Sequence, residues 1–183
     1  DRARRTRFEL LEANHRCNQP HPFFTKYVMN VDTSLLYAFE KTLVPTRLDR
    51  SEIPVEILGY GEISSIFQIG DDDRVVYKRI PLFSNETIAE SYRRIYLEYC
   101  NKLREAGIEL PQDDVIFVQV PGRIGSLYFV QQRFQAEQFC HQLIHQLNES
   151  QITEMLGDII NTLTALWQFN DRNLPEWEIA VDA

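Results

Sequence analysis

The sequence predicts an α+β fold, an antiparallel sheet with helices segregated at one end, and three observations carry that expectation. From Pro54 onward the short β-rich runs "VEILG", "SSIFQIG" and "RVVYKRI" follow one another, the last two across the turn-like "GDDD" of Gly70–Asp73. A helical stretch from about Asn85 to Ala106 comes next, closed by Gly107 with Pro111 just beyond. Two further strands, "VIFVQV" and "SLYFVQQ", flank "PGRIG" as a hairpin and complete five strands around one helix.

The flanking elements follow the same logic. Residues 1–16 have helical character, which "CNQPHPFF" interrupts with Pro20 and Pro22. A short helix is expected from about Ser34 to Lys41, ending near Pro45, and residues 46–53 form a polar connection. After Gln132 the chain turns helical. Phe139, Cys140, Leu143, Ile144 and Leu147 have amphipathic spacing. Asn148 and Gln151 are placed as a capping box for a second helix, whose apolar stripe runs Ile152, Met155, Leu156, Ile159, Ile160, Leu163, Leu166, Trp167. The tail "WEIAVDA" reads as a strand. Three units result: a helical extension over 1–53, a sheet-and-helix unit over 54–132, and a connection with helices over 133–183.

Composition narrows the class. Of 183 residues, 44% are hydrophobic and 25% charged, an ordinary globular balance. The net charge of −8 argues against general nucleic-acid binding. No apolar run reaches the roughly 18 residues of a membrane span. Cys17, Cys100 and Cys140 lack paired spacing, which fits a reducing compartment and places the protein in the cytoplasm. Arg2, Arg4, Arg5 and Arg7 open the chain; they suit either an anionic contact or a solvated helix face, and the latter is the commoner situation. Cys140, His141 and His145, and separately His15, Cys17 and His21, lack the ligand spacing of a zinc site.

The chemistry concentrates in Gly59-Tyr60-Gly61-Glu62-Ile63-Ser64. Glycines at a strand–turn–strand let backbone N–H groups approach phosphate oxygens without a Cβ in the way. A dinucleotide fold needs a helix after the glycines, and a Walker loop needs Gly-Lys-Ser or Gly-Lys-Thr; neither is present. The other explanation is a β-bulge in an unrelated domain. Lys78 lies in the next strand, on one face with Val76, where an ammonium amid apolar neighbours has reason to meet an anion. On the helix that follows, a stripe of Ile88, Tyr92, Ile95, Tyr96, Tyr99 and Leu103 would put Glu98 near its edge, where it could reach a lysine or simply pair with Lys102.

"GYGEISSIF", "VVYKRI", Glu98 in "YLEYCNKLREAGIELP", the strand pair and "YFVQQRF" leading into helices together resemble the protein kinase-like superfamily, over roughly 54–182. The ending "LREAGIELP" is more similar to the aminoglycoside and choline phosphotransferase branch than to eukaryotic protein kinases. The resemblance implies a kinase-like small lobe, a hinge and an incomplete helical lobe, in a chain that is part of a longer protein. It implies an ATP and Mg2+ site. Gly59, Gly61 and Ser64 would cover the phosphates, with Ser64 in place of the usual third glycine, and Lys78 would contact the α- and β-phosphates with Glu98 orienting it. Val76 would line the adenine pocket, and Gln131, Gln132, Arg133 and Phe134 would form the hinge whose backbone meets adenine. Asp182 stands where a catalytic base would fall, or caps a turn; Ala180 occupies the place of a histidine in relatives, and no metal ligand of the family is present. The implied function is phosphoryl transfer to an unknown small-molecule or protein acceptor; the alternative is a pseudokinase or interaction module.

Overall fold

The computed structural model of the chain describes residues 29–45, 47–60 and 64–181. Its centre is a five-stranded antiparallel sheet, β1 (Val55–Tyr60), β2 (Ser65–Ile69), β3 (Val75–Phe83), β4 (Asp113–Val118) and β5 (Gly125–Gln132), in spatial order β1-β2-β3-β5-β4. The described helices are α1 (Thr33–Thr42), α2 (Glu86–Glu105), the single turn α3 (Cys140–Leu143) and α4 (Glu149–Asn173).

Local chemistry sets the ends of these elements. Asp32 caps α1 by accepting from the amides of Ser34 and Leu35, and Asn85 caps α2 by accepting from Ile88. Asn148 and Gln151 form the reciprocal capping box that starts α4. Gly107, at φ 85°, ends α2 in the left-handed region, and the amide of Ile108 closes back on the Leu103 carbonyl at 3.0 Å.

The sheet is covered on both faces. Alternation along β5 sends Tyr128 and Val130 to one side and Leu127 and Phe129 to the other. On the first side, Leu36, Phe39 and Leu43 of α1 pack against Phe67, Ile69, Val75, Tyr77, Val118, Tyr128 and Val130. On the second, α2 brings Ala89 and Tyr96 onto Ile80, Phe83, Val115, Leu127 and Phe129. The helix that the sequence placed in an extension before the sheet is thus part of its core. A third cluster joins Leu103 and Ala106 at the end of α2 to Leu166 and Phe169 of α4 and to Ile179.

A buried ion pair fastens α1. Glu40 is 1% exposed and Arg79 8%. Arg79 Nε donates to Glu40 Oε2 at 2.8 Å and Nη2 to Oε1 at 2.6 Å. The Tyr128 hydroxyl donates to Oε2, and Ser126 Oγ lies 3.3 Å from Oε1. Arg123 donates to the carbonyls of Glu40 (2.7 Å) and Leu43 (3.0 Å), which satisfies the end of the helix. Burial by itself would raise the Glu40 carboxyl, but the hydrogen bonds from Arg79 and Tyr128 and the guanidinium charge outweigh it, so the net displacement is downward.

Three local expectations are corrected. Residues 139–147 do not form a continuous amphipathic helix: only Cys140–Leu143 is α-helical, no side chain caps it at Phe139, and turns follow until Asn148 restarts the helix. The tail around Trp177–Val181 is not a strand, because its polar groups meet side chains rather than a neighbouring strand: Ile179 and Asn170 exchange two hydrogen bonds of 2.9 and 2.8 Å. Ile88 and Ile95, assigned to the buried stripe of α2, are 50% and 63% exposed. The buried line is Ala89, Cys100 and Leu103, with Tyr96 beside it, because α2 is rotated to lay small and aromatic residues on the sheet.

Two outcomes follow for stability. A Cβ at Gly125 would lie 2.5 Å from the Phe117 ring and 2.9 Å from the Phe83 carbonyl oxygen. Gly125→Ala is therefore expected to lose about 1–3 kcal/mol in urea unfolding, as over-packed sites do; an unchanged midpoint would contradict this packing. The lowered Glu40 carboxyl contributes stability that is complete above the ordinary glutamate value of about 4.3 and is lost as pH falls through its lower folded value. Acid unfolding of Glu40→Gln should accordingly show a shallower pH dependence below that value than the parent chain.

Candidate functional site

The face of the sheet that α2 approaches is only partly covered. Directly paired residues share a face, and one row runs Gly59–Ile66–Lys78–Phe129–Val115 across all five strands. The next row includes Glu56 and Gln68, then Val76, Gln131 and Asp113. Phe129 and Val115 lie beneath α2, whereas Ile66 and Lys78 are exposed and Val76 and Gln131 half-buried. Among the described residues, the open part of this face thus carries an ammonium between Ile66 and Phe129, with Val76, Gln68 and Gln131 in the adjoining row.

Lys78 takes this place because β3 alternates strictly: Val75, Tyr77 and Arg79 are buried toward α1, and Val76 and Lys78 face the other way. Among the described residues Lys78 has no ion pair. Glu98 does not reach it. At 100° per residue Glu98 sits roughly 170° from the sheet-facing line of α2, and it is exposed. The side chains that α2 does lay against the Lys78 row are tyrosines. The Tyr96 ring meets Phe129 edge-on at 4.8 Å and the Tyr92 ring at 6.4 Å. Burial pushes the Tyr96 hydroxyl up, with its hydrogen bond to Cys100 adding to the effect, so it stays protonated.

The glycine stretch is described at its ends. Gly59 follows a register shift between Ile57 and Gly59 that leaves Leu58 as an extra residue, a β-bulge beside Ile66. A Cβ built on Gly59 meets nothing within 4 Å, and its φ is not positive. No neighbour within the described chain therefore requires a glycine there, and the space above it is open. Ser64 is half-buried immediately before β2. Gly61 and Asp182 lie outside the described residues.

The four expected hinge residues are half-buried at the end of β5. Two of their amides already have partners: Gln132 N donates to the Gln112 carbonyl at 3.0 Å and Arg133 N to the Arg74 carbonyl at 2.8 Å. The Arg133 guanidinium bonds Gln68 Oε1, and Gln68 Nε2 donates to the Gly70 carbonyl at 3.0 Å, which ties the end of β5 to the β2–β3 turn. Gln132 Oε1 is buried without a hydrogen-bond partner. Phe134 packs edge-on against Phe139 at 6.5 Å. Beyond α4, the segment leading toward Asp182 is held against α2: Tyr99 donates to the Ala180 carbonyl at 2.6 Å, and Lys102 lies 5.3 Å from the Trp177 ring centre.

Sequence reasoning gave no site role to Leu58, the extra residue of the β1 bulge, or to Ile66 and Phe129, the cross-strand neighbours of Lys78. Their signal was available in part, since Leu58 and Ile66 are large apolar residues on either side of the glycine stretch and remain 36% and 38% exposed. Among the described residues no three His, Cys, Asp or Glu side chains are grouped to hold a metal ion. No described helix is long and apolar enough to cross a membrane.

Comparison with known proteins places most of the chain in one family. A family model, described as a family of unknown function (DUF6206), matches residues 41–182, from the last turn of α1 to the C-terminal segment. No curated protein and no solved structure matches the chain. With the match extending over most of its length, the chain belongs to the DUF6206 family.

Proposed function

We propose that the chain is a kinase-like nucleotide-binding domain that takes ATP with Mg2+ on the open face of its sheet, in a protein that transfers phosphate to a small-molecule or protein acceptor. The observation that carries this reading is Lys78, an exposed ammonium without a counter-ion among the described residues, set between Ile66 and Phe129 and one row from Val76. A phosphate chain would supply the missing negative charge, and Leu58, Ile66 and Val76 would offer an apolar slot to a base. The order of elements also favours it: a bulged glycine hairpin, a lysine on the third strand, a helix, a strand pair, then helices. Lys78 would hold the α- and β-phosphates, and Gly59 with Gly61 and Ser64 would let the hairpin backbone close over them.

A second reading, a nucleotide-binding or interaction module without catalysis, is favoured by the direction of Glu98. Phosphoryl transfer in this superfamily relies on a helix carboxylate paired with the strand lysine. Here the corresponding surface of α2 presents Tyr92 and Tyr96.

Thermal shift and calorimetry with MgATP test the proposal. ATP at about 100 times its Kd should stabilise the chain by about 2.7 kcal/mol. Lys78→Ala should weaken binding about tenfold or more, since a charge-assisted contact is lost. Gly59→Ala should leave stability within about 0.5 kcal/mol of the parent, because the added methyl meets only open space, yet weaken ATP binding. Absence of any ATP effect on the parent chain would overturn the reading. Binding that persists without turnover over candidate acceptors would favour the module.

A further inference from the structure

Helix α1 lies on the opposite side of the sheet from Lys78, and most of it precedes the family match, yet it packs against β2 and β3, which carry the candidate site, as well as against β4 and β5. Helix α2 covers Val115, Leu127 and Phe129 and leaves the β1–β2 edge to other support. That support is α1. Phe39 meets the Phe67 ring at 5.5 Å and lies 6.4 Å from Tyr128, while Val55 of β1 and Phe67 and Ile69 of β2 fill out the same cluster. The β2–β3 pairing spans Ser65–Phe67 against Tyr77–Arg79 and is centred on Ile66 and Lys78.

The ion pair sits at that same point. Arg79 is the chain neighbour of Lys78 and is gripped from behind by both oxygens of Glu40, which also engage Tyr128 and Ser126 of β5. Tyr128 is the cross-strand partner of Arg79, as Phe129 is of Lys78. One carboxylate therefore holds two adjacent strands at the register position where the lysine leaves the opposite face. Both charged groups are almost fully enclosed, Arg79 at 8% and Glu40 at 1% side-chain exposure.

We infer that Glu40 of α1 is a positioning residue for the candidate nucleotide site, acting through the Arg79–Tyr128 grip to fix β3 and so the direction of Lys78. Docking of α1 then governs the face of β3 from which the lysine is presented. This inference rests on the nucleotide-binding reading for its ligand, and on the sheet alone for its structural effect.

The test is a double-mutant cycle on the full chain, with MgATP as the probe, at a temperature where circular dichroism shows each variant folded. Glu40→Gln should weaken MgATP binding about tenfold or more in the parent background. In the Lys78→Ala background it should add almost nothing, because its effect passes through the lysine; equal loss in both backgrounds would mean a merely structural role and overturn the inference. Tyr128→Phe, which keeps the ring and removes one donor to Glu40, should act in the same direction more weakly, and it serves if Glu40→Gln fails to fold. Amide hydrogen exchange separates this inference from the reading it rests on. Glu40→Gln or Tyr128→Phe should speed exchange about tenfold or more in β2 and β3 around Phe67–Arg79, with α4, which packs in a separate cluster, little changed. Uniform or unchanged exchange would overturn the inference even if ATP binds, whereas localised exchange in a chain that ignores ATP would sustain the coupling and remove the nucleotide.

Discussion

The Glu40–Arg79 ion pair is the constraint on which the arrangement of the sheet depends. Two charges taken out of water incur a desolvation penalty of several kcal/mol each, offset only when geometry and additional hydrogen bonds are good. Here the contact is bidentate, and the remaining capacity of the carboxylate is met by Tyr128 and Ser126. Such a pair adds no net stability over a well-packed apolar replacement, but it tolerates no alternative alignment, since any slip of α1 or β3 strands a buried charge. Its role is therefore specificity. It selects one seat for α1 on the sheet and one face for every residue of β3.

That choice of face has consequences two residues wide. With Arg79 and Tyr77 turned toward α1, Lys78 and Val76 are turned toward the open side. The bulge at Leu58 and the uncrowded Gly59 then border the same surface. At the other end of the sheet, α2 covers the face with Ala89 and Tyr96, which pack on Phe129, and the collision awaiting any Cβ at Gly125 shows how tightly that end is closed. The molecule thus combines a packed end and an open end on one sheet face, and the lysine stands near the boundary.

The proposed nucleotide-binding reading rests on the open end, while the orientation of α2 counts against a catalytic role for Glu98. A carboxylate on a helix is useful to a strand lysine only from the face that the helix lays on the sheet. Packing of α2 is dominated by Ala89, Tyr96, Cys100 and Leu103, and this rotation carries Glu98 to the far side. The same helix anchors the C-terminal segment through Tyr99, so its rotation is coupled to two neighbours and is not free to adjust for Glu98 alone.

Five strands, their order along the chain and the helix between β3 and β4 were legible in the sequence, because each rests on local signals: period-two alternation, the turn at Gly70–Asp73, Gly107 as a stop, Asn148 with Gln151 as a start. The face shared by Val76 and Lys78 was legible for the same reason. Failures arose where the deciding partner is distant in sequence. The 139–147 pattern had helical spacing but no cap, and the tail had strand composition but no neighbouring strand. The stripe of α2 was assigned from hydrophobicity, whereas the sheet beneath it accepted small and aromatic side chains and left Ile88 and Ile95 in solvent. Nothing local distinguishes Glu40 from any other helix carboxylate, since its partners lie 39 to 88 residues away. By itself the sequence determined which segments are strands and helices and which side chains alternate together; only the tertiary structure decided that α1 backs the sheet, that Glu40 and Arg79 are buried as a pair, and that Glu98 looks away from Lys78. Short-range backbone preferences determine the former, and the desolvation and packing of surfaces brought together from far along the chain determine the latter.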